Sequence, residues 1–224
     1  MFELYLDTAD VNEVKRFNCC LPLHGITTNP TILAKSHQGL NETLRAMAEV
    51  IDGEPRFHAQ VVSTTVDTMV AEAKQLAALP YDMVVKVPAT ETGLAAIKQM
   101  KQAGITVLAT AIYTVQQGLL AALCGADYLA PYVNRIDALN GDGVGVVADI
   151  QTLLNQHNLK AKILAASFKN SQQAMNVLRL GIGAITLPVD VAAQLFQHPA
   201  VQPAVDQFSA DWQQSFGSKL SFES

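Results

Sequence analysis

The chain has 224 residues, 50% of them hydrophobic and 16% charged, with a formal net charge of −5. That suits one sizeable globular domain with a substantial core and excludes a disordered chain. The acidic balance, with no basic cluster, argues against a nucleic-acid partner.

The three cysteines, Cys19, Cys20 and Cys124, form no CxxC pair and leave one over in any bridging scheme, which reads as reduced thiols in a cytoplasmic protein. The first residues lack the basic and apolar regions of a signal peptide, and no apolar run is long enough to span a bilayer, so no membrane partner is expected.

Residues 3–7 form a strand candidate ending in an acid, and Asp10 with Glu13 three residues on marks the start of a short helix. Residues 25–30 read as a second strand running into a turn. Leu40, Leu44, Met47 and Ile51 set helical spacing over 39–51. A third strand spans 57–62, and Thr64 followed by Asp67 caps the helix that carries Met69, Val70, Ala73 and Leu76. Next comes Met83-Val84-Val85-Lys86-Val87-Pro88, a short buried strand of apolar residues interrupted by one lysine. Pro88 cannot donate to a ladder, so the strand stops there and leaves Lys86 near its carboxyl end. A helix over 90–101 follows, with Gly104 at the position of a C-terminal glycine.

Strand 106–109, helix 114–124 and strand 128–132 continue the series. A glycine-rich loop around Gly141, Gly143 and Gly145 leads into a helix ending near His157. Strand 162–166, helix 171–180 and strand 184–187 close it, followed by helices within 189–197 and 200–216. Eight strand candidates alternating with helices are the rhythm of a (β/α)8 TIM barrel. A doubly wound sheet is the competitor, and eight units in a chain this short favour closure. The expectation is one barrel domain over residues 1–224 with an additional C-terminal helix.

Barrel enzymes work at the carboxyl ends of their strands. Those ends here carry Asp7, Asn29, Gln60, Lys86, Thr110, Tyr132 and Ser167. Strands can end on polar residues simply because they end near water, and Asn29 and Ser167 alone are explained as turn formers. Lys86 is different, because a buried ammonium must reach water, find a partner or lose its proton. A desolvated lysine is the usual preparation for Schiff-base chemistry, although a lysine snorkelling to the rim is about as common.

An amine adding to a ketose carbonyl forms an iminium, which allows the neighbouring C–C bond to break. Proton transfers are then needed, with Tyr132 and Asp7 as candidates and Gln60 and Thr110 able to hold a water. No cofactor or metal is expected: the five histidines lack ligand spacing, and neither HExxH nor paired CxxC occurs. Gly141-Asp142-Gly143-Val144-Gly145 does not fit GxGxxG and reads as a loop leading a helix. His58, two residues before Gln60, is expected on the same inward face as a packed histidine. Arg135, Lys169 and Ser167 lie just past two strands, either as solvated groups or as a phosphate clamp.

The segments Leu4-Tyr5-Leu6-Asp7-Thr8, Gly25-Ile26-Thr27-Thr28-Asn29-Pro30, Val85-Lys86-Val87-Pro88, Ala130-Pro131-Tyr132-Val133-Asn134-Arg135-Ile136-Asp137 and Ala165-Ala166-Ser167-Phe168-Lys169 together resemble the transaldolase family, in particular its small members, the fructose-6-phosphate aldolases. The resemblance runs over nearly the whole chain. It implies a (β/α)8 barrel with Lys86 as the Schiff-base lysine, Asp7 assisting proton transfer, and Asn29 positioning a dihydroxyacetone unit. Gln60, Thr110 and Tyr132 hold a proton-relaying water, with Tyr132 the main acid–base group.

By the same resemblance Arg135 and Ser167 bind a sugar phosphate with Lys169 beside them, and Asn134 belongs to the substrate-binding set. Transaldolases usually carry glutamate where this chain has Gln60 and phenylalanine where it has Tyr132, so both positions look like the aldolases. The resemblance also implies a homo-decamer in which the helix within 200–216 packs on a neighbour. Three readings follow: an aldolase cleaving fructose 6-phosphate to dihydroxyacetone and glyceraldehyde 3-phosphate, a transaldolase passing the three-carbon unit between sugar phosphates, and a non-catalytic sugar-phosphate-binding barrel.

Overall fold

Each strand is short and followed by a helix, so the strands return to the sheet by parallel crossovers. A computed structural model describes residues 2–223. In order the elements are β1 (Glu3–Asp7), α1 (Val11–Asn18), β2 (Gly25–Thr27), α2 (Pro30–Ser36), α3 (Leu40–Ala48), β3 (Arg56–Gln60), α4 (Val66–Ala77), β4 (Asp82–Pro88), α5 (Glu91–Gln102) and β5 (Val107–Ile112). There follow α6 (Val115–Leu123), β6 (Tyr128–Pro131), α7 (Val133–Asp137), α8 (Gly143–Gln156), β7 (Lys162–Ala165), α9 (Ser171–Leu178), β8 (Ala184–Leu187), α10 (Val189–Gln194), α11 (Val201–Phe216) and a short 3-10 turn (Ser221–Glu223). All eight strands pair in parallel with their sequence neighbours, and β1 pairs with β8, closing the barrel. The expected TIM barrel with a C-terminal helix is the fold observed.

Alternation along the strands sorts the side chains into two clusters. Leu6, Ile26, Val85, Val87, Ala109, Leu129, Ile163 and Ile185 face outward and pack under the helices. Tyr5, Val84, Leu108, Tyr128, Ala130, Leu164 and Ala184 face inward and fill the barrel. Register places Gln60, Lys86 and Leu108 side by side on the inner face, with His58 and Val84 two residues below. Gly25 lets β2 press against β3: its φ is +149°, and a Cβ there would lie 1.8 Å from the Arg56 carbonyl oxygen.

The amino-terminal end of the barrel is closed by charge. Glu3 pairs with Lys162 and accepts hydrogen bonds from the hydroxyls of Tyr5 (2.7 Å) and Tyr128 (3.0 Å). Arg56 donates to the Tyr128 hydroxyl and to Asp82 at 2.7 Å. Burial raises the Glu3 carboxyl, but Lys162 and the two phenols outweigh it and hold the group below its ordinary range. Just above lies His58, 1% exposed, its ring edge-on to Tyr5 and Tyr128 and both its nitrogens without a hydrogen-bond partner among the described residues. The histidine is packed in the barrel, as expected, and burial, reinforced by the Lys86 and Arg56 charges, keeps it neutral.

Several boundaries differ from the sequence reading for identifiable reasons. The turn expected at Asn29-Pro30 opens a helix, α2, because the Asn29 side chain accepts from the Ile32 N–H and Pro30 stands at the first helical position. The cap of α4 is Thr65, not Thr64. Its partner is Thr68, whose hydroxyl returns to the Thr65 backbone, rather than Asp67. β3 stops at Gln60, short of the expected 62, because Glu72 takes the N–H groups of Val62 and Ser63. β5 runs on to Ile112 through a register shift around Ala111, which adopts a φ of 54°. β6 ends at Pro131, leaving Tyr132 as the N-cap residue of α7.

Gly143 and Gly145 lie inside α8, not in a loop before it, because the Asp142 side chain caps the helix at the Gly145 N–H. Helix α11 has no buried residue and exposes Val201, Val205 and Phe208. Among the described residues no helix is long and apolar enough to cross a membrane.

Candidate active site

Lys86 is placed by the residues on either side of it. Val85 and Val87 are fully buried against the helices, so the lysine between them must point into the barrel. It is 5% exposed, and its Nζ donates to the carbonyl oxygen of Thr28 at 2.6 Å. That carbonyl is held in place because the Thr28 N–H (2.9 Å) and hydroxyl (3.0 Å) both donate to the His58 carbonyl. Burial lowers the proton affinity of the amine, and the Asp7 carboxylate recovers part of the loss. Among the described residues Lys86 forms no ion pair.

Asp7 ends β1 and accepts from the Thr27 hydroxyl at 2.6 Å; Thr27 is in turn 2.8 Å from the hydroxyl of Thr186 on β8. This chain fixes the carboxylate with one side chain and leaves it open to the cavity. Tyr132 sits opposite, its hydroxyl 2.8 Å from that of Thr110. Burial pushes the phenol up, while the Thr110 hydrogen bond and the Arg135 charge pull it back part of the way.

A cavity of about 180 Å³ joins these groups. Asp7, Asn29, Lys86, Tyr132, Arg135 and Ser167 line it, together with Thr27, Thr186, Phe168 and Pro188 at the sides and Leu108, Ala130, Leu164 and Ala166 inside. Six of the expected site residues thus meet in one space. Thr110 reaches that space through the Tyr132 hydroxyl, and Gln60 lies beside Lys86 in the sheet without lining the cavity. Asn134 turns away, its side-chain oxygen accepting from Gln173 at 3.4 Å, and Lys169 is exposed and outside the lining.

Two backbone outliers border the site: Ala111, next to Thr110, and Ser167, with a φ of 62°. A non-glycine residue in that region costs on the order of 1–2 kcal/mol and persists only where neighbours impose it. At Ser167 the neighbour is Asn134, whose N–H donates to its carbonyl at 2.7 Å.

The sequence reading missed the hydroxyls of Thr27 and Thr186 and the carbonyl of Thr28. The alternation Asp7 then Thr27, both at strand ends, is the one signal that points to the first. The arrangement can hold an amine with reduced proton affinity beside a carboxylate and a phenol, the set needed to add an amine to a carbonyl and move protons around the adduct. No group of three or more His, Cys, Asp or Glu side chains suited to a metal gathers among the described residues.

Comparisons with known proteins agree with the barrel. A thiamine phosphate pyrophosphorylase from Pyrococcus furiosus matches with a TM-score of 0.56 at 18% identity, over 96% of this chain and 98% of that one. A flavocytochrome B2 carrying an arginine-to-lysine substitution matches with a TM-score of 0.60 at 12% identity, over 97% of this chain and 65% of that one. At such identities the likeness is one of fold. The family model described as transaldolase/fructose-6-phosphate aldolase matches residues 4–223, and the chain therefore belongs to that family of aldolase-type enzymes.

Proposed function

We propose that the protein is a Schiff-base aldolase that cleaves fructose 6-phosphate to dihydroxyacetone and glyceraldehyde 3-phosphate and runs the reverse addition. The observation that carries this reading is the amine of Lys86, almost wholly buried beside a cavity that it shares with Asp7 and Tyr132. In the proposed sequence Lys86 adds to the C2 carbonyl, and the carbinolamine loses water to give an iminium. Asp7, directly or through water, takes the C4 hydroxyl proton. The C3–C4 electron pair then moves into the iminium, and glyceraldehyde 3-phosphate departs. Tyr132, with water held near Gln60 and Thr110, protonates the resulting enamine at carbon, and hydrolysis frees dihydroxyacetone and the lysine. Asn29 orients the three-carbon unit, and Arg135 and Ser167 hold the phosphate.

The phenol decides between the two reactions of the family. A group that protonates the enamine lets dihydroxyacetone leave by hydrolysis; without one the enamine waits for an acceptor aldehyde. Tyr132 is such a group, and Gln60 puts no second carboxylate beside the amine. Product release from fructose 6-phosphate alone is the test. The expected result is continuous formation of glyceraldehyde 3-phosphate with matching dihydroxyacetone over many turnovers. A single burst that resumes only when erythrose 4-phosphate is added would make the protein a transaldolase.

A further inference from the structure

The guanidinium of Arg135 stacks on the ring of Tyr132, with its central carbon 4.6 Å from the ring centroid. Tyr113, just ahead of α6, completes the arrangement. Its ring meets that of Tyr132 edge-on at 5.7 Å, and its hydroxyl accepts from Arg135 Nη1 at 3.5 Å. Among the described residues no carboxylate pairs with Arg135. Its charge is balanced by a ring face and one long hydrogen bond, and it lines the cavity. An anion bound in the cavity and the Tyr132 phenol therefore share a single cation.

We infer that Arg135 couples occupancy of the cavity mouth by a phosphate group to the acidity of Tyr132. With the clamp empty, the cation over the ring favours the phenolate. A phosphate that binds Arg135 neutralises that charge, and the phenol then holds its proton more tightly. The other groups that face Tyr132 do not reverse this sign. Asp7 from β1 and Tyr113 oppose ionisation, Thr110 from β5 favours it through its hydrogen bond, and Lys86 from β4 lines the same cavity. A phosphorylated substrate thus tightens the hold of Tyr132 on its proton, and an unphosphorylated one leaves that hold unchanged. The inference rests on the reading of Arg135 as the phosphate clamp, but not on which reaction the lysine runs.

The test uses 19F NMR of protein labelled with 3-fluorotyrosine at its five tyrosines, with the Tyr132 resonance identified by its loss in Tyr132→Phe. Its alkaline titration is followed with saturating inorganic phosphate and with sodium chloride of equal ionic strength. Phosphate should raise the midpoint by roughly half a pH unit, the scale of one partly exposed cation–π contact. Arg135→Gln should start at the higher midpoint and ignore phosphate, whereas Arg135→Lys, which keeps the charge, should retain part of the response. A midpoint that phosphate leaves unmoved, or moves equally in Arg135→Gln, overturns the coupling, as does a lysine variant with no response. Since no substrate is present, an unmoved midpoint says nothing against acceptor-free turnover, and failed turnover says nothing against the titration.

Discussion

The two ends of this barrel are built from similar side chains and differ in how those side chains are satisfied. At the amino-terminal end Glu3 meets Lys162 and two phenols, and Arg56 meets Asp82 and Tyr128. At the carboxyl end, among the described residues, Lys86 meets a single carbonyl, Asp7 a single hydroxyl, and Arg135 a ring face and one phenol. Groups left short of partners in a low-dielectric space cost stability, and they keep the capacity to bind something else. The first end is therefore a plug and the second a receptor, although both draw on the same inward-facing positions of the strands.

The contrast is broken most directly at the lysine. Lys86→Met should lower fructose 6-phosphate cleavage on the order of 10⁴-fold or more and abolish borohydride-trapped mass with substrate. It should leave the melting temperature unchanged or raised, because an apolar chain replaces a buried amine. A variant that stays active, or that melts early, would mean the amine is part of the framework.

The opposite experiment is made at the plug. Glu3→Gln should destabilise the fold by about 1–3 kcal/mol, measured by urea unfolding, with turnover per folded molecule unchanged. Loss of turnover with intact folding would show that the plug reaches the chemistry.

The smallest effect is expected between the two ends, at His58. Above about pH 6.5 the folded and unfolded chains both hold this imidazole neutral. Below that only the unfolded chain takes up the proton, so stability falls as pH drops, by at most about 1.4 kcal/mol per pH unit. His58→Phe should flatten the melting temperature between about pH 6.5 and 5, while acid loss from Glu3, whose ordinary value is 4.5, sets in lower. An unchanged slope would mean that His58 is protonated inside the barrel.

The strand order, the closed barrel and the placement of Lys86 were legible because each rests on local pattern. Apolar alternation sets which face a strand residue takes, and one lysine among valines is conspicuous. Asn29 was legible only in part, since the same side chain both lines the cavity and caps a helix that the turn reading hid. What stayed hidden depends on contacts between distant segments. The carbonyl that receives Lys86 is 58 residues away, and both the Thr27–Thr186 contact and the Glu3–Lys162 pair span 159. The bulge in β5 left no trace because its strained residue is Ala111, not a glycine. Lys169 and Asn134 share a segment with lining residues but do not themselves line the cavity, a difference of side-chain direction that a strand-end pattern does not carry.

The enclosure of the Lys86 amine has a consequence, on the proposed reading, for the form of sugar that can react. The amine stands in the wall of a cavity of about 180 Å³ and is almost fully enclosed. A hexose phosphate in water is mostly a closed ring, in which the anomeric carbon is bonded to the ring oxygen and offers no C=O. Such a ring has nothing for an amine to attack. On the Schiff-base reading proposed above, the open-chain tautomer is therefore the form that reacts. On that reading, product formation at high protein concentration should become independent of the amount of protein and equal the spontaneous rate at which the hemiketal opens.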